Sequence, residues 1–382
     1  MRKTITLILL AFICIIPTSI SSAAASNKNF AILDTKSNHG FIPVRSLQEF
    51  DDLQVTWNAA DGKTTISIAN ESTRLTLFTD STTAYINDTS VTLTDAPFAE
   101  NGVTYVPLQW ICQSLLLTST WDKNASAIHI TSGDNGITLP FLARGSKHTT
   151  ATPVVSERKT FKVGSKSFSV QMVTISLLHP KIELDVALAG NTVGKVEDLS
   201  SIAKRNNAVV AINGTYFDAY TKGDFKTPYG YIVSKGEIKK KNPTENRTIF
   251  TYDKNMLSSL ILGLDFMEKY DQGTIVGGLQ AGPRLLVNGK VSVDVKNEGF
   301  RDPKILTGGG ARSALGLTQD HKLILLTSSG ATIPQLAEIM KQAGAYQAMN
   351  LDGGASSGLY YNGKYLTTPG RKISNAIVVK YQ

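Results

Sequence analysis

A short segment near the C-terminus combines residue types that could do chemistry. Residues 350–357 read Asn-Leu-Asp-Gly-Gly-Ala-Ser-Ser, so a carboxylate, two glycines and two hydroxyls lie within eight positions. A carboxylate such as Asp352 can activate water or stabilise a developing positive charge, and glycines after it let a ligand approach the main chain. The pattern predicts a ligand-binding loop around Asp352.

Three other polar segments lie in short, glycine-marked stretches of the same half of the chain. They are residues 213–218 (Asn-Gly-Thr-Tyr-Phe-Asp), 281–286 (Ala-Gly-Pro-Arg-Leu-Leu) and 311–316 (Ala-Arg-Ser-Ala-Leu-Gly). Taken singly, a strand arginine is usually exposed or paired with a carboxylate. Together, Arg284 and Arg312 indicate an anion site, because a guanidinium matches the geometry of a phosphate or carboxylate.

Two helix–strand units are expected to position these polar residues. Each begins with a helix that has one apolar face, continues into a buried strand and ends at an asparagine: residues 196–204 and 208–212 lead to Asn213, and 332–344 and 345–349 lead to Asn350. The second helix starts with a capping box at Thr332. An offset of 137 positions aligns the two units. This likeness fits an internal repeat, and it equally fits a pattern common to helix–strand units.

Several other classes of site are poorly supported by the sequence. The histidines of this half, His179 and His321, have no zinc-ligand spacing, and no Gly-x-Ser-x-Gly nucleophile motif occurs. Cys112 lies outside this half of the chain. We expect no cofactor; a divalent cation such as Ca²⁺ at Asp352 stays open as an alternative, although no EF-hand spacing is present.

The composition and the N-terminus indicate an exported protein. Residues 1–25 have the basic, then apolar, then small-residue layout of a secretory signal peptide. Without it, no segment approaches the length of a membrane span, Cys112 is the remaining cysteine, and the net charge falls from +8 to +6. Basic runs interleaved with aromatics are missing, which argues against nucleic acid. We expect a secreted or cell-surface bacterial protein, attracted to anionic wall glycans.

The first third of the chain contains two similar segments, 41–68 and 105–130. Their prolines (Pro43, Pro107) and their tryptophans (Trp57, Trp121) are each offset by 64 positions. Each segment is expected to form a short helix followed by a β-hairpin. The region resembles the copper amine oxidase N-terminal-like "stalk" domain, which we place at 28–131, with a linker at 132–157. Because His39 and His129 are isolated in the sequence, we expect no copper site, and an accessory role such as wall association.

Residues 158–382 resemble the phosphodiester glycosidase family. The resemblance rests on an ordered set of motifs: Asn213-Gly-Thr-Tyr-Phe, Gly282-Pro-Arg-Leu, Arg312-Ser-Ala-Leu-Gly, Thr332-x-x-Gln-Leu-Ala, residues 350–357 and Arg371-x-x-Ser-Asn-Ala. Thr215 and Ala355 stand where the family commonly has glycine, which bears on the width of the pocket. The chain as a whole is expected to be α+β: a mixed β-sheet catalytic domain with packed helices, after a small α+β domain of two helix–hairpin repeats.

The family resemblance implies hydrolysis of sugar-1-phosphodiesters of the N-acetylglucosamine-1-phosphodiester type, in a cell-wall or exopolysaccharide glycan. It implies Asp352, Arg284 and Asn213 as catalytic residues. The substrate-binding residues implied are Gly214, Asp218, Arg312, Thr332, Asn350, Gly353, Gly354, Ser356 and Ser357. The alternative is a non-catalytic surface module that binds polysaccharide through the same pocket.

Overall fold

The computed structural model describes residues 28–60, 63–145 and 152–382. The predicted signal peptide and residues 146–151 of the predicted linker lie outside this part of the chain. Within the described ranges, no helix is both long enough and apolar enough to span a membrane.

The N-terminal domain has twelve strands and few helices in its described residues. In chain order its elements are β1 (Ala31–Asp34), β2 (His39–Pro43), a 3-10 helix (Val44–Glu49), β3 (Gln54–Ala60), β4 (Lys63–Ala69), β5 (Arg74–Phe78), β6 (Thr83–Ile86), β7 (Thr89–Thr92), β8 (Phe98–Glu100), β9 (Val103–Pro107), α1 (Leu108–Leu115), β10 (Thr118–Asp122), β11 (Ala127–Ser132) and β12 (Asn135–Ala143). They form a seven-stranded sheet, β10-β11-β12-β1-β2-β9-β8, and a five-stranded meander, β3-β4-β5-β6-β7.

The prediction of two equivalent helix–hairpin repeats is wrong as a description of this domain. A helical turn and a hairpin do follow each proline, but the first is a 3-10 helix whose hairpin continues into the meander. The second is α1, whose hairpin β10–β11 pairs onward with β12 in the other sheet. The two segments are therefore built into different sheets by strands that the local pattern does not reveal.

The predicted linker at 132–157 is also too long. Residues 135–143 form β12, which pairs with β11 and, in parallel, with β1. Its residues Ile137, Leu139 and Leu142 are buried in the domain core. Glycine, serine and threonine residues flank β12 and suggest a linker, although the apolar residues within it are those of a buried strand.

The second domain contains seventeen strands in its described residues. In chain order the elements are β13 (Val154–Val163), β14 (Lys166–Ser176), β15 (Ile182–Leu188), a 3-10 helix (Ala189–Asn191), α2 (Leu199–Arg205), β16 (Val210–Asn213), β17 (Ile232–Ser234), β18 (Glu237–Lys240), β19 (Ile249–Asp253), β20 (Ser258–Ile261), a 3-10 helix (Gly263–Asp265), α3 (Phe266–Tyr270), β21 (Ile275–Gln280), β22 (Arg284–Val287), β23 (Lys290–Val291), α4 (Pro303–Leu306), β24 (Gly310–Leu317), β25 (Lys322–Ala331), α5 (Ile333–Gln342), β26 (Gln347–Asn350), a 3-10 helix (Gly354–Ser356), β27 (Leu359–Tyr361), β28 (Lys364–Thr367) and β29 (Asn375–Tyr381).

Three sheets organise this domain. Their strand orders are β13-β14-β25-β24-β26-β22-β23, β15-β29-β16-β27-β28 and β18-β17-β21-β19-β20. The α+β class is confirmed, with few helices packed on the sheets. Neighbouring strands run antiparallel in all three sheets. The strands joined by a helix, β15 with β16 and β25 with β26, run parallel two positions apart, so the expected mixture of directions occurs without parallel neighbours. The physical reason is that each helix crossover skips one position, which an antiparallel strand fills.

The two domains share one hydrophobic core. The largest apolar cluster contains Phe41 and Tyr105 of the first domain together with Val210 and Met349 of the second. Polar contacts reinforce this junction: Lys28 Nζ donates to the carbonyl oxygens of His179 and Ile182 at 2.6 and 2.5 Å. His321 Nε2 donates to the Ser126 carbonyl at 3.0 Å. The N-terminal domain is thus packed firmly against the second domain.

We predict that His321→Ala destabilises the protein. The imidazole is buried, and burial lowers its pKa, which favours the neutral ring. Removing this ring leaves the Ser126 carbonyl without its hydrogen bond across the domain junction. Such a loss costs about 1–3 kcal/mol. The neighbouring Lys322, whose surface pair with Asp320 is 39% and 50% exposed, is the control: Lys322→Ala should change stability by about 0–1 kcal/mol. Equal urea midpoints for the two variants would contradict the bridging role.

Candidate active site

Two helix crossovers of the same topology bring the polar loops together. In one, β15 leads through α2 to β16, with β29 between the two strands; in the other, β25 leads through α5 to β26, with β24 between them. The loop after each crossover makes an equivalent backbone bond, from Gly214 N to Asn375 O (3.0 Å) and from Leu351 N to Ser313 O (2.8 Å). This correspondence favours the internal repeat. It places Asn213 and Asn350 at matching strand ends.

The structure of α5 follows from its capping residues and its apolar face. The predicted capping box of α5 is present: Thr332 Oγ1 accepts from Gln335 N, and Gln335 Oε1 accepts from Thr332 N. Leu336, Ile339 and Met340 are fully buried on the predicted face of the helix. The helix therefore sits firmly on the sheet and fixes the point at which β26 delivers the Asp352 loop.

The side chain of Asn213 fastens the Asp352 loop. Its Nδ2 donates to the Asp352 carbonyl at 2.6 Å. Its Oδ1 accepts from Ser313 Oγ at 2.7 Å and from Gly358 N at 3.0 Å. Since Asn213 is only 1% exposed, it positions the loop and does not reach the surface of the cleft.

Asn350 has a similar buried role on the other side of the loop. Its Nδ2 lies 2.6 Å from the Tyr216 hydroxyl and 3.1 Å from the Gly282 carbonyl. The Tyr216 hydroxyl itself donates to the Gly282 carbonyl at 2.8 Å. These contacts tie the 213–218 segment to the 281–286 segment, so two of the polar segments noted in the sequence do come together.

Asp352 lines a cleft of about 590 Å³ in the second domain. Its backbone N donates to Gly214 O at 3.0 Å, and its own Oδ1 accepts from Gly353 N at 2.9 Å. Burial raises the pKa of Asp352 to about 7, and the Ser356 hydroxyl, the Gly353 N–H and the charge of Arg371 moderate this rise. A carboxyl with such a pKa can change protonation state near neutral pH.

Glycine is favoured at positions 353 and 354 for two different structural reasons. A Cβ on Gly353 would lie 2.9 Å from Ala311 O and 3.7 Å from Arg312 Nη1, so a side chain there would push against β24. Gly354 has φ +61°, a left-handed conformation that glycine adopts readily. The glycine pair therefore lets the Asp352 loop lie close to Arg312.

Arg312 is the most buried cation of the cleft. It is 3% exposed, and its Nε donates to Ala331 O at 3.0 Å. Its Nη2 donates to the carbonyl oxygens of Lys304 and Gly308 at 2.7 and 2.8 Å. The guanidinium is thus fixed before any ligand arrives, which reduces the entropy lost on binding an anion.

Other cations surround the cleft and make its charge predominantly positive. Its basic residues are Arg247, Arg301, Lys304, Arg312 and Arg371, against the acidic residues Asp218, Asp302 and Asp352. Arg247 lies over the Phe300 ring at 4.7 Å from its centroid and pairs with Glu245 at 3.1 Å. Arg371 lies over the Tyr220 ring at 5.0 Å and donates to its hydroxyl at 3.0 Å.

The structure divides the predicted site residues into two groups. Those that line the cleft are Asp218, Arg312, Asp352, Gly353, Gly354 and Ser356; those outside the cleft lining are Asn213, Gly214, Arg284, Thr332, Asn350 and Ser357. Of the second group, Gly214 is needed for space, because a Cβ there would lie 2.1 Å from Asn375 Oδ1. Ser357 is buried, and Thr332 caps α5.

Arg284 differs most from its expected placement. Its Nη2 donates to Leu260 O at 2.8 Å, and its backbone N donates to Glu298 Oε1 at 2.6 Å. Arg247 and Arg371 also line the cleft, and neither is among the predicted site residues. Arg371 had a signal, since it opens the last motif; Arg247 follows a polar stretch without any distinguishing pattern.

The two departures from the family pattern lie in different environments. Thr215 is 2% exposed, and Asn375 holds it by an Nδ2 bond to Thr215 Oγ1 at 2.7 Å. Ala355 is exposed, lines the cleft and accepts from Gly370 N at 2.7 Å. Any effect of these residues on the width of the cleft therefore comes from Ala355.

No group of three or more His, Cys, Asp or Glu side chains suited to a metal occurs among the described residues. This holds for the N-terminal domain as for the cleft. His39 of that domain instead pairs with Asp95, with 2.6 Å between Nδ1 and Oδ2.

Comparisons with known proteins agree with this organisation. Residues 206–380 match the profile of the phosphodiester glycosidase family, and residues 30–130 match that of the copper amine oxidase N-terminal domain. No curated protein sequence matches the chain.

Two solved structures share the fold. A hypothetical protein from Synechocystis is 16% identical, with a TM-score of 0.54, over 90% of this chain and 86% of that one. The zebrafish N-acetylglucosamine-1-phosphodiester α-N-acetylglucosaminidase catalytic domain, auto-inhibited by its pro-peptide, is 21% identical, with a TM-score of 0.54, over 62% of this chain and 86% of that one. The second domain is therefore similar to the phosphodiester glycosidase family over residues 206–380, and the first is similar to the copper amine oxidase N-terminal domain over residues 30–130.

Proposed function

We propose that this protein hydrolyses sugar-1-phosphodiesters at the bond between the anomeric carbon and the phosphate oxygen. The observation that carries the proposal is the meeting, in one cleft, of a carboxyl with a pKa of about 7 and a guanidinium fixed by three backbone carbonyls. The first group suits proton transfer at neutral pH, and the second suits a phosphate.

The cations of the cleft would bind the phosphodiester. Arg312 is buried and already oriented, while Arg247 and Arg371 lie over aromatic rings at the same cleft. Charge-assisted hydrogen bonds from guanidinium groups also stabilise the negative charge that grows on the phosphate as the bond breaks. We assign the phosphate clamp to these three residues in place of Arg284.

Asp352 would act in its ionised form. A water molecule attacks the anomeric carbon and gives its proton to the carboxylate, while the bond from carbon to phosphate oxygen breaks with its electron pair on oxygen. The products are the free sugar and a phosphomonoester. Because a phosphate leaves readily, this reaction depends less on a strong general acid than ordinary glycoside hydrolysis does.

The substrate we propose is of the N-acetylglucosamine-1-phosphodiester type within a cell-wall or exopolysaccharide glycan. Support comes from the family match, from the basic cleft and from the predicted signal peptide at residues 1–25, which would export the protein. We further propose a secreted or cell-surface location, with wall association through the N-terminal domain. Saturable binding of such a substrate without turnover would instead favour a non-catalytic polysaccharide-binding module.

Asp352→Asn is predicted to abolish the release of reducing sugar from a synthetic N-acetylglucosamine-1-phosphodiester. The amide keeps the size of the side chain but cannot accept the proton. It also removes a carboxylate whose charge is disfavoured by burial, so the denaturation midpoint at neutral pH should not fall. Asp320→Asn, on a surface turn, is the control and should retain activity. Turnover by Asp352→Asn within about tenfold of the unchanged protein would remove Asp352 from the mechanism.

The pH dependence should follow the ionisation of Asp352. Its pKa of about 7 predicts that kcat/KM rises with pH and reaches half its maximum near that value. Arg371 lowers this pKa, so Arg371→Gln should move the rising limb to higher pH, whereas Lys304→Gln, which removes a cleft cation with no such effect, should not. A kcat/KM that falls as pH rises, or a pH of half-maximal kcat/KM that is the same in Arg371→Gln as in the unchanged protein, would contradict this role.

Arg312→Lys and Arg284→Lys are predicted to differ. Losing one charge-assisted hydrogen bond costs about 1.5–3 kcal/mol, so Arg312→Lys should lower kcat/KM by about 10- to 100-fold. Arg284→Lys, which leaves the cleft lining unchanged, should lower it by less than about fivefold. Denaturation curves of both variants separate loss of binding from loss of folding. The opposite order of effects would return the clamp to Arg284.

A further inference from the structure

We propose that a cleft in the N-terminal domain binds an uncharged stretch of a saccharide chain. This small-domain cleft has a volume of about 400 Å³ and lies beside β2, α1 and β10; the residues that carry the argument are His39, Asp95, Gln109, Gln113 and Trp121. Its volume falls within the range of about 300–1,000 Å³ that is typical of small-ligand sites. The inference does not depend on the function proposed for the second domain.

Trp121 provides a fixed aromatic surface in this cleft. The indole packs edge-on against Phe141, with ring centroids 4.9 Å apart and an interplanar angle of 80°. It lies close to Gly40, where a Cβ would come within 2.9 Å of Trp121 Cζ2. Despite these contacts Trp121 is 38% exposed. A held, partly exposed indole can stack on the C–H face of a pyranose ring, since both surfaces are flat and apolar.

Hydrogen-bonding groups border this aromatic surface. Gln109 and Gln113 are one turn apart on the exposed face of α1, and both line the cleft. Across from them, Asp95 Oδ2 lies 2.6 Å from His39 Nδ1. Both side chains line the cleft, so an imidazole and a carboxylate lie at its border. Amide, carboxylate and imidazole groups around an indole match the hydroxyls that surround the apolar face of a sugar.

The charge of the small-domain cleft distinguishes its ligand from that of the catalytic cleft. Its lining contains no lysine or arginine among the described residues, whereas five basic residues line the catalytic cleft. A phosphate would therefore find no countercharge beside Trp121. Trp110 also lines this cleft, and proline-rich peptides dock in aromatic-lined grooves, so such a peptide is the competing ligand. The amide, carboxylate and imidazole groups beside the indoles favour a sugar, because they can bond its hydroxyls. A neutral oligosaccharide fits best.

Binding at the small-domain cleft would favour the action of the second domain on a polymeric substrate. A glycan held by one domain raises the effective concentration of its other segments near the second domain. The firm packing between the domains fixes the relative position of the two clefts. Loss of this binding should thus impair action on a long glycan and leave turnover of a small soluble substrate unchanged.

The test uses residues 26–382 and measures binding of chitotetraose and maltotetraose by calorimetry. We expect saturable binding of at least one oligosaccharide, weakened about tenfold or more by Trp121→Ala, equivalent to about 1.4 kcal/mol. Trp57→Ala is the matched control, since Trp57 occupies the corresponding position in the other sheet, is 46% exposed and does not line this cleft. Gln113→Ala, an exposed change on α1 that preserves the core, should also weaken binding.

Three outcomes would overturn the proposal. These are no saturable binding of either sugar, equal weakening by Trp57→Ala and Trp121→Ala, or binding of a polyproline peptide in place of both sugars. Turnover of a small sugar-1-phosphodiester by Trp121→Ala should equal that of the unchanged protein. That assay therefore reports on the catalytic cleft separately, so each proposal can fail alone.

Discussion

The geometry of the candidate active site depends on one buried amide, that of Asn213. Through three hydrogen bonds it joins the end of β16 to Ser313 of β24, to Gly358 and to the carbonyl of Asp352. Because Asn213 is buried, breaking any of these hydrogen bonds would leave a polar group unpaired and raise the free energy of the folded protein. The three segments therefore keep a single arrangement. The carboxyl of Asp352 and the guanidinium of Arg312 are brought to one cleft because their loops and strands are held by this amide and by the backbone bonds around it.

Much of this framework could be predicted from the sequence, where local signals are strong. The capping box of α5 and the apolar faces of both crossover helices predicted where Asn213 and Asn350 would lie. Arg284 and Arg312 show that the sequence could not predict which arginine lines the cleft. Both stand in a strand after glycine, but the register of β22 shifts beside Arg284, and only tertiary packing decides which arginine reaches the cleft. Arg247 lies between strands, where periodicity carries no information.

The N-terminal domain illustrates the same limit at the level of sheets. Its repeated prolines and tryptophans predicted two helix–hairpin segments, yet β12 and the meander strands place them in different sheets. This difference has a chemical consequence. Trp121 packs between Phe141 and Gly40 at a cleft, while Trp57 has the same local sequence pattern and does not line that cleft. The cleft at Asp352 and the small-domain cleft thus differ in charge: five basic residues line the first, and no lysine or arginine among the described residues lines the second.

The proposed mechanism breaks the bond from the anomeric carbon to the phosphate oxygen. Hydrolysis of a synthetic N-acetylglucosamine-1-phosphodiester in ¹⁸O-labelled water, followed by mass spectrometry of the phosphomonoester, distinguishes this cleavage from attack at phosphorus. If Asp352 delivers water to the anomeric carbon, the label appears in the sugar and the phosphomonoester carries none. Label in the phosphomonoester would show attack at phosphorus and would contradict the proposed glycosidase mechanism.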